Sequence, residues 1–160
     1  MTRRPQIQAF GISAVLPTGF EGRIYRRTAS GGTQAYPVAQ FATVALPPVS
    51  DVGDFGGGIV ELLGPDDVFV VLFEYGPESL GTSLFARDGQ PRTIPSYQFL
   101  PYRLRRGIPG QSGSQVFFTA AGRPFTIYAV LGGTAQAPVG VAKVNALLTG
   151  LSVSSVGAVA

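Results

Sequence analysis

Polar and apolar positions alternate with a period of two along LPTGFEGRIYRR (Leu16 to Arg27). Phe20, Gly22 and Ile24 fall on one side, and Glu21, Arg23, Tyr25 and Arg27 on the other. One apolar and one polar face is what a half-buried antiparallel strand requires. The same reading gives a strand over Gly11 to Leu16, stopped by the turn Pro17-Thr18-Gly19, and another over Gln40 to Leu46, ended by Pro47-Pro48. Asp67 to Tyr75 (DVFVVLFEY) is apolar at nearly every position and rich in β-branched and aromatic residues, which predicts a strand covered on both faces. Tyr102 to Ile108 reads as a basic strand, with Leu104 opposite Arg103 and Arg105. Gln115 to Ala120 and Pro124 to Leu131, separated by Ala121-Gly122-Arg123, predict a hairpin.

The period changes after Gly132-Gly133. Val141, Val144, Leu148 and Leu151 recur at steps of three and four with Leu147 beside them, while Lys143, Asn145 and Thr149 lie elsewhere around the turn, so Ala137 to Leu151 predicts a helix. TASGGTQAYP and SDVGDFGGG read as loops, IVELLGPDD as an irregular piece or a single helical turn, and Gly76 to Tyr97 as loop with a short helix near Ser79 to Ala86. No repeat or linker divides the chain. The expectation is one α+β domain over residues 1–160, with about six mostly antiparallel strands and a C-terminal helix packed on the sheet. Residues 1–10 and 152–160 read as tails.

Composition sharpens this picture. Charged residues are 13% of the 160, against about 25% in an ordinary soluble domain, while hydrophobic residues reach 45%. Such a chain is not disordered, since disorder needs low hydrophobicity and high charge. With a mean hydropathy of +0.26, it has little charge to cover its outside: either it is a monomer with a surface rich in Ser, Thr, Gln and Gly, or part of its surface is buried against other subunits. All nine acidic residues lie between Glu21 and Asp88, and eleven of the twelve basic residues are arginine. A pI near 9.6 permits nucleic-acid contact without arguing for it. A nucleic-acid face would interleave aromatics with basic residues; only Tyr25 and Tyr102 are so placed, and no nucleic-acid partner is expected. The N-terminal residues carry only a short, interrupted apolar run, and Phe125 to Leu151 is interrupted by Pro138, Lys143 and Asn145, so neither a signal peptide nor a membrane span is expected. The expected setting is cytoplasmic.

A Pro-Gly-aromatic-acidic opening, a mostly antiparallel middle, the strand GRPFTIYAVL and the closing helix VNALLTGL together resemble the PsbP-like architecture. That is the extrinsic-subunit fold of photosystem II, which also occurs in small bacterial proteins of undefined role. LPTGFEGRI, DDVFVVLFEYGPES and FFTAAGRPFTIYAVLG are likewise similar to segments of uncharacterised actinobacterial proteins. The resemblance covers most of the chain and implies a fold. It carries no catalytic signature and departs from any metal-binding version.

Much chemistry is excluded outright. Histidine and cysteine are absent, so there is no Ser-His-Asp or Cys-His nucleophile, no HExxH zinc site and no disulfide. A Ser-Lys arrangement would need Lys143, the only lysine, which falls on the predicted helix. Asp66-Asp67 reads as a turn before a buried strand, Asp51 and Asp54 lack EF-hand spacing, and Glu61, Glu74 and Glu78 are not paired by any spacing. DFGGGIVELLG is neither a P-loop nor a dinucleotide fingerprint, and PGQSGSQ lacks the order of a nucleophile elbow. No catalytic residue, metal or cofactor is expected.

What remains is a pair of basic clusters: Arg23, Arg26 and Arg27 beside Glu21, and Arg103, Arg105 and Arg106. Arginine forks hold carboxylate or phosphate through two hydrogen bonds, so two adjacent clusters would make an anion or partner site. Otherwise they are outward strand positions that keep sheet edges in solution. The leading expectation is a non-enzymatic interaction or structural subunit with a protein partner or as a homo-oligomer. The alternative is a small anionic-ligand carrier.

Overall fold

A computed structural model of the chain describes residues 3–27, 36–49 and 58–155. Within it the most apolar segment becomes the middle of a sheet. Five strands, β3 (Glu21–Arg26), β4 (Pro37–Ala42), β5 (Val68–Glu74), β6 (Ser112–Ala120) and β7 (Arg123–Leu131), pair antiparallel in the order β3-β4-β5-β7-β6. β1 (Gln6–Ala9), β2 (Ile12–Val15) and β8 (Leu151–Val153) form a second antiparallel sheet, ordered β1-β2-β8. One helix, α1 (Ala137–Thr149), runs between β7 and β8. The fold is α+β with a helix on a sheet.

β5 and β7 are buried along almost their whole length because the five-stranded sheet is covered on both faces. On the first face Phe41, Val70, Leu72, Ile127 and Leu131 meet Val144, Leu147 and Leu148 of α1, together with Ile12 and Leu151 of the smaller sheet. Gly140 sets the distance of approach: a Cβ there would stand 2.9 Å from a methyl of Leu131. On the second face Val38, Phe69, Val71, Tyr128 and Val130 pack under Ile59 and Val60, with Leu104 and Ile108 leaning in. A fully buried side chain of this kind contributes about 1.5–3 kcal/mol.

Several elements differ from the sequence reading, among them β4, which spans Pro37–Ala42 where Gln40 to Leu46 was expected. Gln6–Ala9 and Ser152–Val153, read as tails, are strand residues: β1 pairs from Gln6↔Val15 to Ala9↔Ile12, and β8 pairs with the other edge of β2. These short strands have no apolar period of their own, and pairing with β2 orders them. Residues 1–2 and 156–160 lie outside the described residues, as does most of TASGGTQAYP and SDVGDFGGG. The segment Tyr102 to Ile108 is not a strand. Pro101–Arg103 makes one 3-10 turn, and Leu104, rather than alternating, drops onto the second core. Pro101, Gly107 and Pro109 leave this segment no ladder to join. The single turn at Ile59–Leu62 follows the sequence expectation, whereas in place of one short helix near Ser79 to Ala86 there are two 3-10 turns, Pro77–Ser79 and Ser83–Phe85.

The connection between β5 and β6 (residues 75–111) is pinned rather than loose. Phe85, Ile94 and Phe99 are buried, and Asn145 of α1 reads the Ile94 backbone at both groups, accepting at 2.8 Å and donating at 3.2 Å. Thr119 donates to the Phe85 carbonyl at 2.7 Å.

A buried ion pair within the five-stranded sheet also ties that sheet to the smaller one. Arg123, at the start of β7, donates from Nη2 and Nε to the two carboxylate oxygens of Glu74 at 2.7 and 3.1 Å. The same guanidinium donates to the Ser154 carbonyl at 2.8 Å and to the Phe10 carbonyl at 2.9 Å. Phe10 and Gly11 form the β1–β2 turn and both have positive φ, 53° and 74°; a Cβ at Gly11 would lie 2.6 Å from the Arg123 guanidinium. The β6–β7 turn repeats the geometry at Ala121 (52°) and Gly122 (72°). Such two-residue turns favour Asn-Gly, because both central residues are left-handed.

Two stability predictions follow from these contacts. Glu74→Gln leaves the buried guanidinium uncompensated and is expected to cost about 3–5 kcal/mol in urea unfolding, whereas the paired change Glu74→Leu with Arg123→Met recovers much of it. Ala121→Asn is expected to raise stability by about 0.5–1 kcal/mol in the same assay, since asparagine tolerates the left-handed region.

Candidate functional site

Strand alternation divides the first basic cluster. Glu21, Arg23, Tyr25 and Arg27 lie toward the second face of the five-stranded sheet, whereas Arg26 lies toward the first, where its guanidinium sits 4.5 Å from the centre of the Phe10 ring. The second face is not a plain wet surface. Glu21 accepts from the Leu46 N–H at 2.8 Å. Half-buried Arg23 donates to Gln40 Oε1 at 2.8 Å and also to the Pro47 carbonyl. These two residues hold the stretch that follows β4 against β3.

Arg27 is placed differently. Its guanidinium lies 3.8 Å from the centre of the Phe73 ring, and Nη2 reaches across β4 to the Glu74 carbonyl at 3.2 Å. Its Nε is buried and has no hydrogen-bond partner among the described residues. Burial lowers its pKa from the ordinary arginine value, with Tyr75 and then Tyr25 acting in the opposite sense.

The second cluster also separates. Arg103 is exposed on its 3-10 turn, and Arg106 pairs with Glu61. Arg105 is fixed through its backbone, whose N–H donates to the Tyr128 hydroxyl at 2.7 Å. Tyr128 belongs to β7 and stands on the second face, so its phenol holds residues 104–106 over the sheet. From there Arg105 acts electrostatically on Tyr75, as does Arg27. The six arginines therefore do not form one cluster: Arg23, Arg26, Arg27 and Arg106 each meet a different group, and Arg103 is exposed.

Tyr75 itself is half-buried at the end of β5. Its ring meets Phe73, Phe85 and Phe117 at centroid distances of 5.1, 5.2 and 6.2 Å. Burial raises its pKa above the ordinary phenol value, against the opposing pull of Arg105 and Arg27. Sequence reading missed Tyr75 because it closes a strand judged by its apolar content. Its distance from Arg27 depends on β3 and β5 flanking β4, which no local pattern encodes.

The carboxylates fall into structural roles. Asp67 accepts from Thr43 at 2.8 Å and from the Gly64 N–H at 2.9 Å, so it closes the turn before β5. Asp51 and Asp54 lie outside the described residues. Among the described residues no group of three metal-ligating side chains forms, and no helix is long and apolar enough to cross a membrane. An open, mostly apolar groove of about 560 Å³ runs between Pro17, Phe20 and the Pro138, Val139, Ala142 and Ala146 side of α1. Lys143 at its rim donates to the Asp66 carbonyl at 2.6 Å.

Comparison with known protein families, with curated proteins and with solved structures finds no match to this chain.

The Tyr75 environment gives a pH prediction. A phenol whose folded pKa exceeds its unfolded value, near 10, contributes stability that is fully present below about pH 10 and is lost as pH rises through the folded pKa. Unfolding stability of the native chain is therefore expected to fall above about pH 10 more steeply than that of Tyr75→Phe, with the two curves parallel at neutral pH.

Proposed function

We propose that this protein is a non-enzymatic interaction or structural subunit that docks onto a protein partner or a further copy of itself. The observation that carries this reading is the outer surface of the β5–β6 connection. Tyr97 and Tyr102 are 75% and 78% exposed there, on the 3-10 turns Ser96–Gln98 and Pro101–Arg103. Leu80 and Leu84 are exposed on the same connection. Large apolar groups left in water on a backbone that is otherwise pinned to the core are an unfavourable arrangement unless something covers them. Tyrosine beside arginine, here Tyr102 next to Arg103, is also the composition that dominates interface energetics. The likeness in element order to an extrinsic-subunit fold agrees with such a role.

The test is light scattering coupled to size exclusion, run on the full chain and on Tyr97→Ser with Tyr102→Ser. The native chain is expected to form a defined oligomer or a stoichiometric complex with a protein from its host. The double variant is expected to weaken that association by about a thousandfold, as loss of two interface anchors of about 2 kcal/mol each implies. A native chain that stays monomeric and finds no stoichiometric partner, or a double variant that associates unchanged, counts against the reading.

A further inference from the structure

We propose that β3 is the contact of a symmetric dimer, in which it pairs antiparallel with β3 of a second copy of this chain and joins two five-stranded sheets into one. The register within the sheet fixes which backbone groups β3 leaves open. The Arg27 N–H donates to the Tyr36 carbonyl at 3.2 Å, so in the register from Glu21↔Ala42 to Arg26↔Pro37 the odd-numbered positions of β3 share their hydrogen bonds with β4. Gly22, Ile24 and Arg26 therefore turn N–H and C=O away from β4, and among the described residues nothing bonds to them on that side. β1 approaches this strand without pairing to it: a Cβ on Gly22 would lie 3.1 Å from a methyl of Ile7 on the first face. The opposite edge of the sheet is already closed at two points. Leu100 exchanges both backbone bonds with Gly113, at 2.9 and 3.1 Å, and Thr119 donates to Arg87 and accepts from Gly89, each at 2.8 Å. A six-residue strand such as β3 finds no open edge of its own length on β6, so β3 on β3 closes a dimer and not an open array.

Side chains specify the register of that pairing. A two-fold axis at Ile24 sets Gly22 opposite the partner's Arg26, Arg23 opposite the partner's Tyr25, and Glu21 opposite the partner's Arg27. Arg27 has no carboxylate partner among the described residues: its guanidinium meets the Phe73 ring and the Glu74 carbonyl, while the Glu74 carboxylate is held by Arg123. One Glu21 carboxylate oxygen accepts from the Leu46 N–H, and the second copy brings this carboxylate to the half-buried cation. Opposite charges facing each other across a strand pair attract, and like charges so placed repel. A slip of two residues one way would set Arg23 opposite the partner's Arg23, and a slip the other way would set it opposite the partner's Arg27. The register centred on Ile24 avoids both. Ile24, partly buried against the first core, meets its own copy at the axis, and Gly22 leaves room for the stem of the partner's Arg26. An edge bearing charge of one sign resists pairing; β3 bears both signs, in an order that a two-fold copy complements. Tyr97 and Tyr102 belong to the connection that borders β6, at the other edge, so this contact goes beyond the tyrosine surface and leaves it open to a different association.

The test is sedimentation velocity of the full chain over a range of concentrations, with amide hydrogen exchange read on the same samples. A monomer–dimer equilibrium with a limiting mass twice 16.7 kDa is expected. The amides of Gly22, Ile24 and Arg26 should exchange about tenfold more slowly where the dimer dominates. Arg26→Pro removes an outward N–H from an edge strand, where proline is tolerated, and should weaken the dimer by about tenfold or more; circular dichroism would verify that the fold is kept. Glu21→Lys and Arg27→Glu should each weaken it by about tenfold, because like charges then face each other twice. An equimolar mixture of those two variants should dimerise about as tightly as the native chain, since the mixed pair restores both contacts. Tyr97→Ser with Tyr102→Ser should keep this dimer, which separates it from whatever the tyrosines hold. A chain that is monomeric at every concentration overturns the dimer. So does an oligomer in which the three amides exchange as they do in the monomer, or one that Arg26→Pro leaves unchanged. A mixture no tighter than its components overturns the register.

Discussion

The contact on which the rest of the structure depends is the buried pair between Arg123 and Glu74. Their side chains are only 7% and 10% exposed, so both charges have left water almost completely. Burial of two ions is not stabilising in itself, and a well-packed apolar pair of equal volume would often do as well or better. What the pair provides is position. One planar guanidinium binds the end of β5, the turn between β1 and β2 and the chain just past β8, so three elements distant in sequence are locked to the first residue of β7. This also accounts for the backbone at Phe10. A left-handed conformation is unfavourable for a bulky residue, yet here it turns a carbonyl onto Nη2. The Phe10 ring at the same time takes Arg26 against its face.

Once the smaller sheet is fixed, the five-stranded sheet has two unlike faces. The first is sealed by α1 and by Ile12, Leu16 and Leu151. The second is sealed in its middle by Ile59, Val60, Leu104 and Ile108, which cover Phe69, Val71 and Tyr128. Toward the Arg27 end the face becomes aromatic and cationic. Charge reaches that place from two directions: along β3 by strand alternation, and over the sheet by residues 104–106, which the Tyr128 hydroxyl holds. The surface with exposed tyrosines and the Arg105 side chain therefore belong to one connection, between β5 and β6. Burial of Phe85, Ile94 and Phe99 gives that connection its shape without regular secondary structure.

Rigidity of that connection matters for the proposed docking. Segments that contact a ligand or partner lose less conformational freedom on binding when they are already ordered. Asn145 fastens the Ile94 backbone to α1, and Gln90 donates to the Leu151 carbonyl at 2.9 Å, so the connection is anchored to the helix and to β8 as well as to β6. Tyr97 and Tyr102 are thus presented from a scaffold and not from a free loop.

By itself the sequence determined the elements whose signal is local. The run DVFVVLFEY announces a strand buried on both faces, the Ala-Gly turn announces the β6–β7 hairpin, and the spacing of Val144, Leu147 and Leu148 announces the helix, because periodicity and turn geometry act between near neighbours. The alternation over Phe20 to Arg27 likewise assigned each side chain to its face. Tertiary structure decided what each face meets. β1 and β8 become strands only through β2, the basic segment after Leu100 becomes a cover and not a strand, and the six arginines part to separate partners. Arg123 and Glu74, separated by 49 positions, carried no mark in the sequence of being partners. Pairings of that kind depend on strand order and on which charges are drawn out of water together, and both are properties of the folded chain.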